Sequence, residues 1–380
     1  MVVVGTRPEA IKLAPLLLRL KEVKGLTVRL ISTGQHRELL DQALREFGLV
    51  ADVDLDLMRS NQTLADSTSR ALTALDHAIE AEAPSLVLAQ GDTTTVLAAA
   101  LASYYRQVPF GHVEAGLRTG QPYRPFPEEK NRVLAAHLAS VHFTPTFQGR
   151  DNLLREAIDP DSIHVTGNTG IDALRWVVDQ SPANTHDIRA MPRTILVTAH
   201  RRENLGPPLE AICGAVIDLI AKYPDLRVVF PVHPNPSVRL VVAGLLEKTP
   251  RVELVAPVGY REFVGLMRSS FLILTDSGGI QEEGPSLGVP VLVLRDETER
   301  PEAVLAGSVQ LVGPHRKAIV DAVERLWDDP TAYRQASTAV NPYGDGHASE
   351  RIVRVVARWF GLNPPPPPPP QDFIPDWPRP

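Results

Sequence analysis

Cysteine is almost absent from this 380-residue sequence, and Cys213 is the single example. One cysteine cannot form an internal disulfide or a cysteine-rich metal site, and we expect no bound metal. No apolar run is long enough to span a bilayer, and no basic segment followed by an apolar one marks a leader, so we expect a cytoplasmic protein without membrane partners. Positive charge is not in surplus, because the formal net charge is −6, and this argues against nucleic acid as a partner.

Two nucleotide-binding fingerprints are also missing. No strand-like run is followed by G-x-G-x-x-G, and G-x-x-x-x-G-K-[ST] does not occur. The first absence argues against a tightly held dinucleotide such as NAD, and the second argues against a P-loop. We therefore expect chemistry without a cofactor.

Short apolar runs rich in Val, Ile and Leu alternate with stretches of helical period along the chain. Twelve such runs occur, from "VVVG" at residues 2–5 to "VQLVG" at residues 309–313. Continuous apolar runs indicate strands buried on both faces, which right-handed crossovers join into parallel sheets covered by helices. Twelve strands exceed an ordinary sheet, and the polar stretch "DQSPANTHDIRAMP" (179–192) divides them evenly. The sequence predicts an α/β protein with two Rossmann-like, doubly wound domains facing a cleft.

Polar residues cluster where the predicted strands end, which is where doubly wound sheets bind their ligands. These residues are Arg7, Lys12, Asp92, Glu114, His200 and His233. We interpret them as site residues, because helix caps alone do not account for so many at the same kind of junction. For Asp92 the alternative is a helix N-cap, and for His200 it is an inert residue that ends a strand.

The stretch "TDSGGIQEEGPSLG" (275–288) begins where the apolar run "FLILT" ends. Ser277, Gly278 and Gly279 let the main chain approach a ligand closely, and the NH groups that open the next helix form an anion seat suited to phosphate. We place Glu282 and Glu283 in the first helical turn. Glu282 is interpreted as complementing the helix dipole, and Glu283 as a ligand of a ribose diol. A diphosphate seat beside a ribose ligand indicates a nucleotide sugar.

Three carboxylates in the first half, Asp92, Glu114 and Glu128, suit proton transfer at a sugar carbon. When carboxyl groups crowd together, one can keep its proton while another stays ionised. His200 is followed by two arginines, and we expect it to donate to a leaving diphosphate or to act as an acid.

Eleven strings carry a family resemblance. They are "GTRPEAIK", "GQHRELLDQ", "GDTTT", "GHVEAGLRTG", "PEEKNR", "GNTGIDAL", "HRRENLG", "PVHPNP", "TDSGGIQEE", "LRDETERPEA" and "NPYGDGHASERI". In these strings the sequence resembles the bacterial, non-hydrolysing UDP-N-acetylglucosamine 2-epimerases from residue 2 to about residue 361. The resemblance implies the glycosyltransferase-B architecture and the interconversion of UDP-N-acetylglucosamine and UDP-N-acetylmannosamine for surface polysaccharide synthesis. It also implies anti elimination of UDP to a bound 2-acetamidoglucal, followed by re-addition.

The domain boundaries follow from the strand pattern and the resemblance together. Residues 1–170 are expected to form the domain with the catalytic acids, and residues 171–345 the UDP-binding domain. A C-terminal helix at 346–362 is expected to cross back to the first domain. The proline-rich tail at 363–380 lies outside the resemblance and is expected to be disordered. The resemblance also implies a homodimer.

The resemblance assigns roles to individual residues, which fall into three sets. The catalytic set is Asp92, Glu114, Glu128 and His200. The substrate-binding set is Arg7, Lys12, Phe263, Ser277, Gly278, Gly279, Glu283 and Arg300, with Phe263 near the uracil and Arg300 as a nucleotide-binding arginine. A second UDP-N-acetylglucosamine site, through which substrate activates the enzyme, is implied for Gln35, Glu38, Arg201 and His233.

Three other functions stay open at this point. A glycosyltransferase of the same architecture would share the glycine seat and the ribose glutamate, but it would not need three acids and a histidine around carbon 2. A hydrolysing epimerase would release UDP and free N-acetylmannosamine. A catalytically inactive nucleotide-sugar sensor would keep the seat and lose the acids. Product analysis with UDP-N-acetylglucosamine alone separates these possibilities.

Overall fold

The fold is known from a computed structural model, which describes residues 1–34, 37–59, 62–180 and 192–368. The described residues divide into two compact units. Unit 1 contains Met1–Trp176 and the segment that starts at Tyr343, and unit 2 contains Val177–Pro342.

Unit 1 is built on a parallel sheet of seven strands in the described part of the chain, in the order β3-β2-β1-β4-β5-β6-β7. The strands are β1 Val2–Val4, β2 Leu30–Ser32, β3 Val53–Asp54, β4 Val87–Gln90, β5 Phe110–Val113, β6 Val141–Thr144 and β7 Ile163–Val165. Every residue of β1, β2, β4, β5 and β6 is buried, as expected for strands covered by helices on both faces.

The helices of unit 1 fill the crossovers between these strands. They are α1 Arg7–Lys21, α2 Arg37–Glu46, α3 Leu64–Glu82, α4 Thr94–Tyr105, α5 Glu128–Leu138, α6 Phe147–Arg155 and α7 Thr169–Gln180, with a 3₁₀ turn at Pro160–Ser162 and the late helix α15 Ala348–Trp359. The division between the units falls inside α7. Helix α1 shows why such helices start where they do, because Glu9 Oε2 accepts from the NH groups of Gly5 at 2.6 Å and Thr6 at 3.1 Å.

Helix α15 returns to unit 1 and packs against α1. Its first NH groups need acceptors, and buried Asp172 on α7 accepts from Ala348 N at 3.1 Å and Ser349 N at 2.6 Å. Burial raises the pKa of Asp172 to about 6, although these hydrogen bonds act in the opposite direction. Asp172 therefore ties the last helix of the unit to α7.

Unit 2 is built on a second parallel sheet, with six strands among the described residues in the order β10-β9-β8-β11-β12-β13. The strands are β8 Thr194–Thr198, β9 Arg227–Pro231, β10 Val252–Val255, β11 Leu272–Thr275, β12 Val291–Val293 and β13 Val309–Leu311. The helices are α8 Pro207–Lys222, α9 Pro236–Leu246, α10 Tyr260–Ser269, α11 Gly278–Ser286, α12 Pro301–Leu305, α13 Arg316–Asp328 and α14 Pro330–Ser337, with a 3₁₀ turn at Arg202–Asn204.

The twelve apolar runs all form strands, and the expectation of two parallel sheets is confirmed. Strand β3 was missed, because its two residues lie at the sheet edge, where Val53 is half-buried and Asp54 is exposed, so they leave no apolar run. Residues 181–191 of the polar divider and residues 369–380 of the proline-rich tail lie outside the described residues. Among the helices that are described, none combines the length and apolar character that a membrane crossing requires.

Candidate active site

The strand order of each sheet reverses at one point, between β1 and β4 in unit 1 and between β8 and β11 in unit 2. Ligands of doubly wound sheets bind beyond the carboxyl ends of the strands at such switch points. Arg7, Lys12 and Asp92 follow the first pair of strands, and His200 and Ser277 follow the second pair. The structure therefore places these predicted residues at the ligand-binding edge of each unit.

Asp92 lies between β4 and α4, and its Oδ2 forms an ion pair with Arg132 Nη2 on α5. Arg132 is only 4% exposed. The neighbouring Asn131 donates from Nδ2 to the main-chain carbonyl of Asp92 at 3.0 Å. Helix α4 is capped by Thr93, whose hydroxyl accepts from Val96 N, so Asp92 is not the N-cap. Helix α5 thus holds both the main chain and the carboxylate of Asp92.

Glu114 follows β5 with φ of +63°, in the left-handed region that glutamate rarely adopts. Its Oε2 accepts from Lys12 Nζ at 2.5 Å and from Gln90 Nε2 at 2.6 Å, and all three side chains are buried. A strained main chain and a buried ion pair both cost free energy, and such costs concentrate at functional sites. The geometry around Glu114 therefore indicates a functional carboxylate.

Glu128 and Glu129 open α5 side by side, but their surroundings differ. Glu129 is 3% exposed, and its Oε1 accepts from Thr119 N and Gly120 N at 3.0 Å each, so it holds the preceding loop in place. Glu128 is partly buried, and its side chain makes no hydrogen bond or ion pair with the described residues. Of the two glutamates, Glu128 is the one whose carboxylate is not committed to the loop.

The predicted anion seat lies at the start of α11. Ser277 is the N-cap residue, and its hydroxyl makes no capping hydrogen bond, so the cap side chain leaves the first NH groups to another acceptor. A Cβ on Gly278 would lie 2.6 Å from Arg300 Nη1, whereas a Cβ on Gly279 would meet nothing closer than Glu283 Oε1 at 3.9 Å. Gly278 is thus required by packing, and Gly279 borders open space beside a carboxylate. This geometry suits a phosphate on the NH groups with hydroxyl donors next to it.

Two details predicted for this stretch are wrong. Because the helix begins only at Gly278, Glu282 and Glu283 lie beyond the first turn. Glu282 does not serve the helix dipole: it is 1% exposed, and its Oε1 accepts from Arg300 Nε at 2.6 Å. Arg300 also pairs with buried Glu299. Two carboxylates therefore hold the Arg300 guanidinium against the glycine turn.

Glu299 belongs to a wider set of buried charges behind the turn. Arg295 Nη1 donates to its Oε2 at 2.9 Å. Burial alone would raise the pKa of Glu299, but the charges of Arg300, Arg295 and Arg201 outweigh burial and hold that pKa well below its ordinary value. The carboxylate therefore stays ionised and keeps the arginines in position.

His200 follows β8, and its Nδ1 lies 3.1 Å from Asp276 Oδ1. Asp276 is fully buried, and its Oδ2 accepts from the NH groups of His200 and Arg201 at 2.8 Å and from Asn204 Nδ2 at 3.0 Å. Burial alone would raise the pKa of Asp276, but the imidazole of His200 and the main-chain NH groups lower it below its ordinary value. The His200 ring also stacks on His233, with centroids 5.5 Å apart and planes inclined by 14°.

The remaining predicted residues are less buried or lie partly outside the described structure. Phe263 is partly buried on α10, Arg201 is partly buried, and His233 is exposed next to His200. Gln35 lies outside the described residues, and of Glu38 only the position in α2 is described.

Sequence reasoning missed four buried residues that hold the predicted ones in place, namely Gln90, Asn131, Arg132 and Asp276. Each lies inside a sequence string that contains or borders a predicted site residue: "SLVLAQG", "PEEKNR" or "TDSGG". A usable signal was present for Asp276, which stands directly before the Ser277 cap and is not needed to cap the helix itself. Arg132 carried no such signal, since a charged residue on a helix is ordinarily solvated.

Comparisons with known proteins agree with this geometry. The family model described as UDP-N-acetylglucosamine 2-epimerase matches residues 18–357. A UDP-N-acetylglucosamine 2-epimerase from Yersinia pestis is 52% identical over 365 residues, which cover 93% of this chain and 97% of the relative. The crystal structure of a UDP-GlcNAc 2-epimerase from Neisseria meningitidis bound to UDP-GlcNAc matches with a TM-score of 0.90 at 46% identity, covering 94% of this chain and 99% of that one.

A glycosyltransferase from Rickettsia africae, 14% identical with a TM-score of 0.57, shares the fold alone, covering 94% of this chain and 97% of that one. The fold is therefore that of an α/β enzyme with two doubly wound sheets, as the sequence predicted. The chain belongs to the UDP-N-acetylglucosamine 2-epimerase family. The family resemblance and the prediction of an epimerase are confirmed.

Proposed function

We propose that the protein reversibly interconverts UDP-N-acetylglucosamine and UDP-N-acetylmannosamine at carbon 2 of the sugar. The Yersinia pestis relative bears the name of this enzyme, and the Neisseria meningitidis structure holds UDP-GlcNAc. The observation that carries the proposal is that the two units of one chain present different functional groups. Unit 2 has a glycine turn whose helix NH groups suit a diphosphate, and unit 1 has three carboxylates that follow its strands or open a nearby helix.

The proposed route is elimination followed by re-addition. UDP leaves carbon 1 with the bonding electron pair while a carboxylate removes the proton from carbon 2, which gives 2-acetamidoglucal. UDP then adds back at carbon 1, and the proton returns to carbon 2 on the opposite face. The hydrogen at carbon 2 is not flanked by a carbonyl, so its direct removal is unfavourable and the departure of UDP must assist it.

Unit 2 is proposed to stabilise the leaving diphosphate. The first NH groups of α11 donate to the phosphate oxygens, and Arg300 supplies positive charge behind Gly278. Charge that develops on the departing oxygen is stabilised by such fixed donors, which need no reorganisation during the reaction. Glu283, beside Gly279, accepts from the ribose hydroxyls in this proposal. Phe263 lies near the uracil.

Unit 1 is proposed to move the proton. Asp92 and Glu114 each pair with a buried cation, Arg132 and Lys12, and these contacts hold the two carboxylates in place. A carboxylate held in a fixed position is suited to proton transfer at carbon 2. Glu128, whose side chain makes no ion pair with the described residues, is the third carboxylate that we propose takes part in the transfer. The reverse reaction uses the same carboxylates, with removal and return of the carbon-2 proton exchanged.

Incubation with UDP-N-acetylglucosamine alone and identification of every product by NMR tests this proposal. We expect the mannosamine epimer, still linked to UDP, and no free sugar. Free N-acetylmannosamine with UDP would indicate a hydrolysing enzyme. Transfer that requires an added acceptor sugar would indicate a glycosyltransferase, and binding without turnover would indicate a sensor.

We also propose that UDP-N-acetylglucosamine activates the enzyme from a second site formed by Gln35, Glu38, Arg201 and His233. The stacking of His233 on His200 supports this, because a ligand held by one ring would press on the other. If so, trace UDP-N-acetylglucosamine should accelerate the conversion of UDP-N-acetylmannosamine. An unchanged initial rate would contradict the activating site.

We further propose a homodimer that works in the cytoplasm and feeds surface polysaccharide synthesis. The support is the family resemblance. Sedimentation equilibrium should give about twice the chain mass of 41.6 kDa, and a species of the single chain mass at micromolar concentration would contradict the dimer. Cell fractionation tests the compartment.

A further inference from the structure

Two stacked imidazoles at the edge of unit 2, His200 and His233, have different polar partners. The Nδ1 atom of His200 faces a carboxylate, at 3.1 Å from Asp276 Oδ1. The Nδ1 atom of His233 faces a donor instead, because the main-chain NH of Asn235 donates to it at 3.2 Å. These contacts decide where each ring can carry its proton.

A nitrogen and an oxygen 3.1 Å apart need a proton between them, since two lone pairs at that distance repel. Asp276 is the poorer candidate to carry that proton, because its Oδ2 already accepts three N–H donors. Its Oδ1 is buried and makes no hydrogen bond with the described residues, and the His200 imidazole nitrogen lies 3.1 Å from it. The proton therefore belongs to His200 Nδ1.

The opposite assignment holds for His233. Its Nδ1 must keep a lone pair to accept from Asn235, so the neutral ring carries its proton on Nε2. Asp276 and His233 contact the His200 side chain, and Arg201 follows it in the chain. Of these three, Asp276 is the one that places an acceptor oxygen close to a nitrogen of the His200 ring.

We propose that Asp276 is a positioning residue that fixes His200 as the Nδ1–H tautomer and leaves Nε2 as the nitrogen presented to the ligand. The His200 side chain is 37% exposed, and its Nδ1 faces fully buried Asp276, so the exposed part of the ring is open to a bound molecule. When Nε2 takes up a proton, the ring donates to a phosphate oxygen at Nε2 and to the Asp276 carboxylate at Nδ1. This kinetic consequence rests on the proposed function, whereas the tautomer does not.

The variant Asp276→Asn should invert the tautomer. Three donors converge on the Oδ2 position, so the amide oxygen of the asparagine must occupy that position. Its NH₂ group then faces His200 Nδ1 and donates to it. His200 is forced to carry its proton on Nε2, and a ring locked in that form cannot accept a proton at Nε2.

The test is long-range ¹H–¹⁵N NMR of the full-length protein labelled at histidine, recorded near pH 9, about where an ordinary imidazole is neutral. The spectrum distinguishes a protonated ring nitrogen from one with a lone pair. His200→Gln identifies the His200 signals by their disappearance. Turnover and UDP affinity are measured on the same samples. The matched control is Asp218→Asn, which removes a carboxylate paired with Arg316 on the exposed side of unit 2.

In the wild-type protein we expect His200 protonated on Nδ1 and His233 on Nε2. In Asp276→Asn we expect His200 protonated on Nε2, kcat lower by about 10²–10⁴-fold, and the Kd for UDP within a few-fold. Asp218→Asn should leave kcat and both tautomers unchanged.

Wild-type His200 protonated on Nε2 would overturn the proposal, and that result needs no variant. Asp276→Asn with an unaltered tautomer would overturn it as well, even if turnover fell. If the wild-type tautomers are as expected and no epimerisation occurs, the proposed function fails while the role of Asp276 stands.

Discussion

The ligand-binding edges of the two units are alike in topology and different in chemistry. In unit 1 the strand ends carry carboxylates that buried cations hold, as in the pairs Asp92 with Arg132 and Glu114 with Lys12. In unit 2 the main chain at Gly279 borders open space at the corresponding edge. The charged pair of Arg300 and Glu282 lies behind the glycine turn. In the proposed function, the same sheet order therefore supplies proton-transfer groups in one unit and an anion seat in the other.

This difference shows how much of the function lies in side chains placed on a common fold. Both units use a topological switch point, and neither switch point alone indicates a reaction. The distinction comes from which groups are buried with partners. Changes in unit 1 should therefore alter turnover, and changes at the glycine turn should alter nucleotide affinity.

The largest effect is expected from neutralising the acids. In Asp92→Asn and Glu114→Gln we expect kcat to fall by about 10²–10⁴-fold, because an amide cannot accept the carbon-2 proton. The Kd for UDP should stay within a few-fold, since UDP is bound by unit 2 in this account. Initial rates by NMR and calorimetric titration with UDP measure the two quantities.

The control for these variants is Asp76→Asn, which removes a carboxylate paired with Arg106 on the surface of unit 1. It should retain wild-type turnover. Full turnover in either amide variant would exclude that acid from the reaction. A large loss of UDP affinity in both variants would contradict the claim that unit 2 binds UDP while unit 1 moves the proton.

An intermediate effect is expected from the two adjacent glycines, which differ in what a methyl group would meet. Gly279→Ala adds its methyl group to open space, so stability should hold or rise slightly while UDP affinity falls by about 10–100-fold through lost phosphate contacts. Gly278→Ala pushes on the Arg300 guanidinium and should cost about 1–3 kcal/mol of stability. Thermal unfolding and UDP titration of both variants make the comparison.

Equal losses of stability in the two variants would contradict this distinction. So would wild-type UDP affinity in Gly279→Ala, because the diphosphate would then lie elsewhere.

A smaller effect concerns one buried carboxyl group in each unit. Burial raises the pKa of Glu9 from 4.5 to about 7, against hydrogen bonds from Thr93, Gly5 and Thr6. The folded state prefers the protonated form, so this stability is complete below pH 4.5 and is lost as the pH rises towards 7. Glu9→Gln imitates the protonated form, and we expect it to exceed the wild type by about 1–3 kcal/mol at pH 8 and to match it near pH 5.

Asp276 should show the opposite sign, because its pKa lies below the ordinary 3.8. Its ionised form stabilises the fold above that pH, and the contribution is lost in acid. Asp276→Asn should therefore be destabilising at pH 7 and less so towards pH 3. Urea midpoints across the pH range measure both differences, and a Glu9→Gln protein less stable than the wild type at pH 8 would contradict the assignment for unit 1.

The sequence was sufficient for the main strands and for the edge of each sheet at which the predicted site residues lie. Runs such as "FLILT" are long enough to be recognised, and parallel topology brings the residues after them to one edge. It was not sufficient for the two-residue strand β3, which lacks an apolar run.

The partners of the site residues were harder to predict, because they depend on packing between distant segments. Asp92 pairs with Arg132, 40 residues away, and Glu282 pairs with Arg300, 18 residues away. Helix periodicity shows which face of a helix is apolar, but it does not show which charged residue is buried against a neighbour. The pairing of Glu282 with Arg300 could be identified only from the position of Glu282 in α11.

The most direct test of the account is turnover of UDP-N-acetylglucosamine alone in heavy water, followed by proton NMR. We predict that UDP-N-acetylmannosamine forms with deuterium at carbon 2, because a carboxylate of unit 1 removes one proton and returns another from the medium. UDP-N-acetylmannosamine that keeps its original hydrogen at carbon 2 would contradict the account.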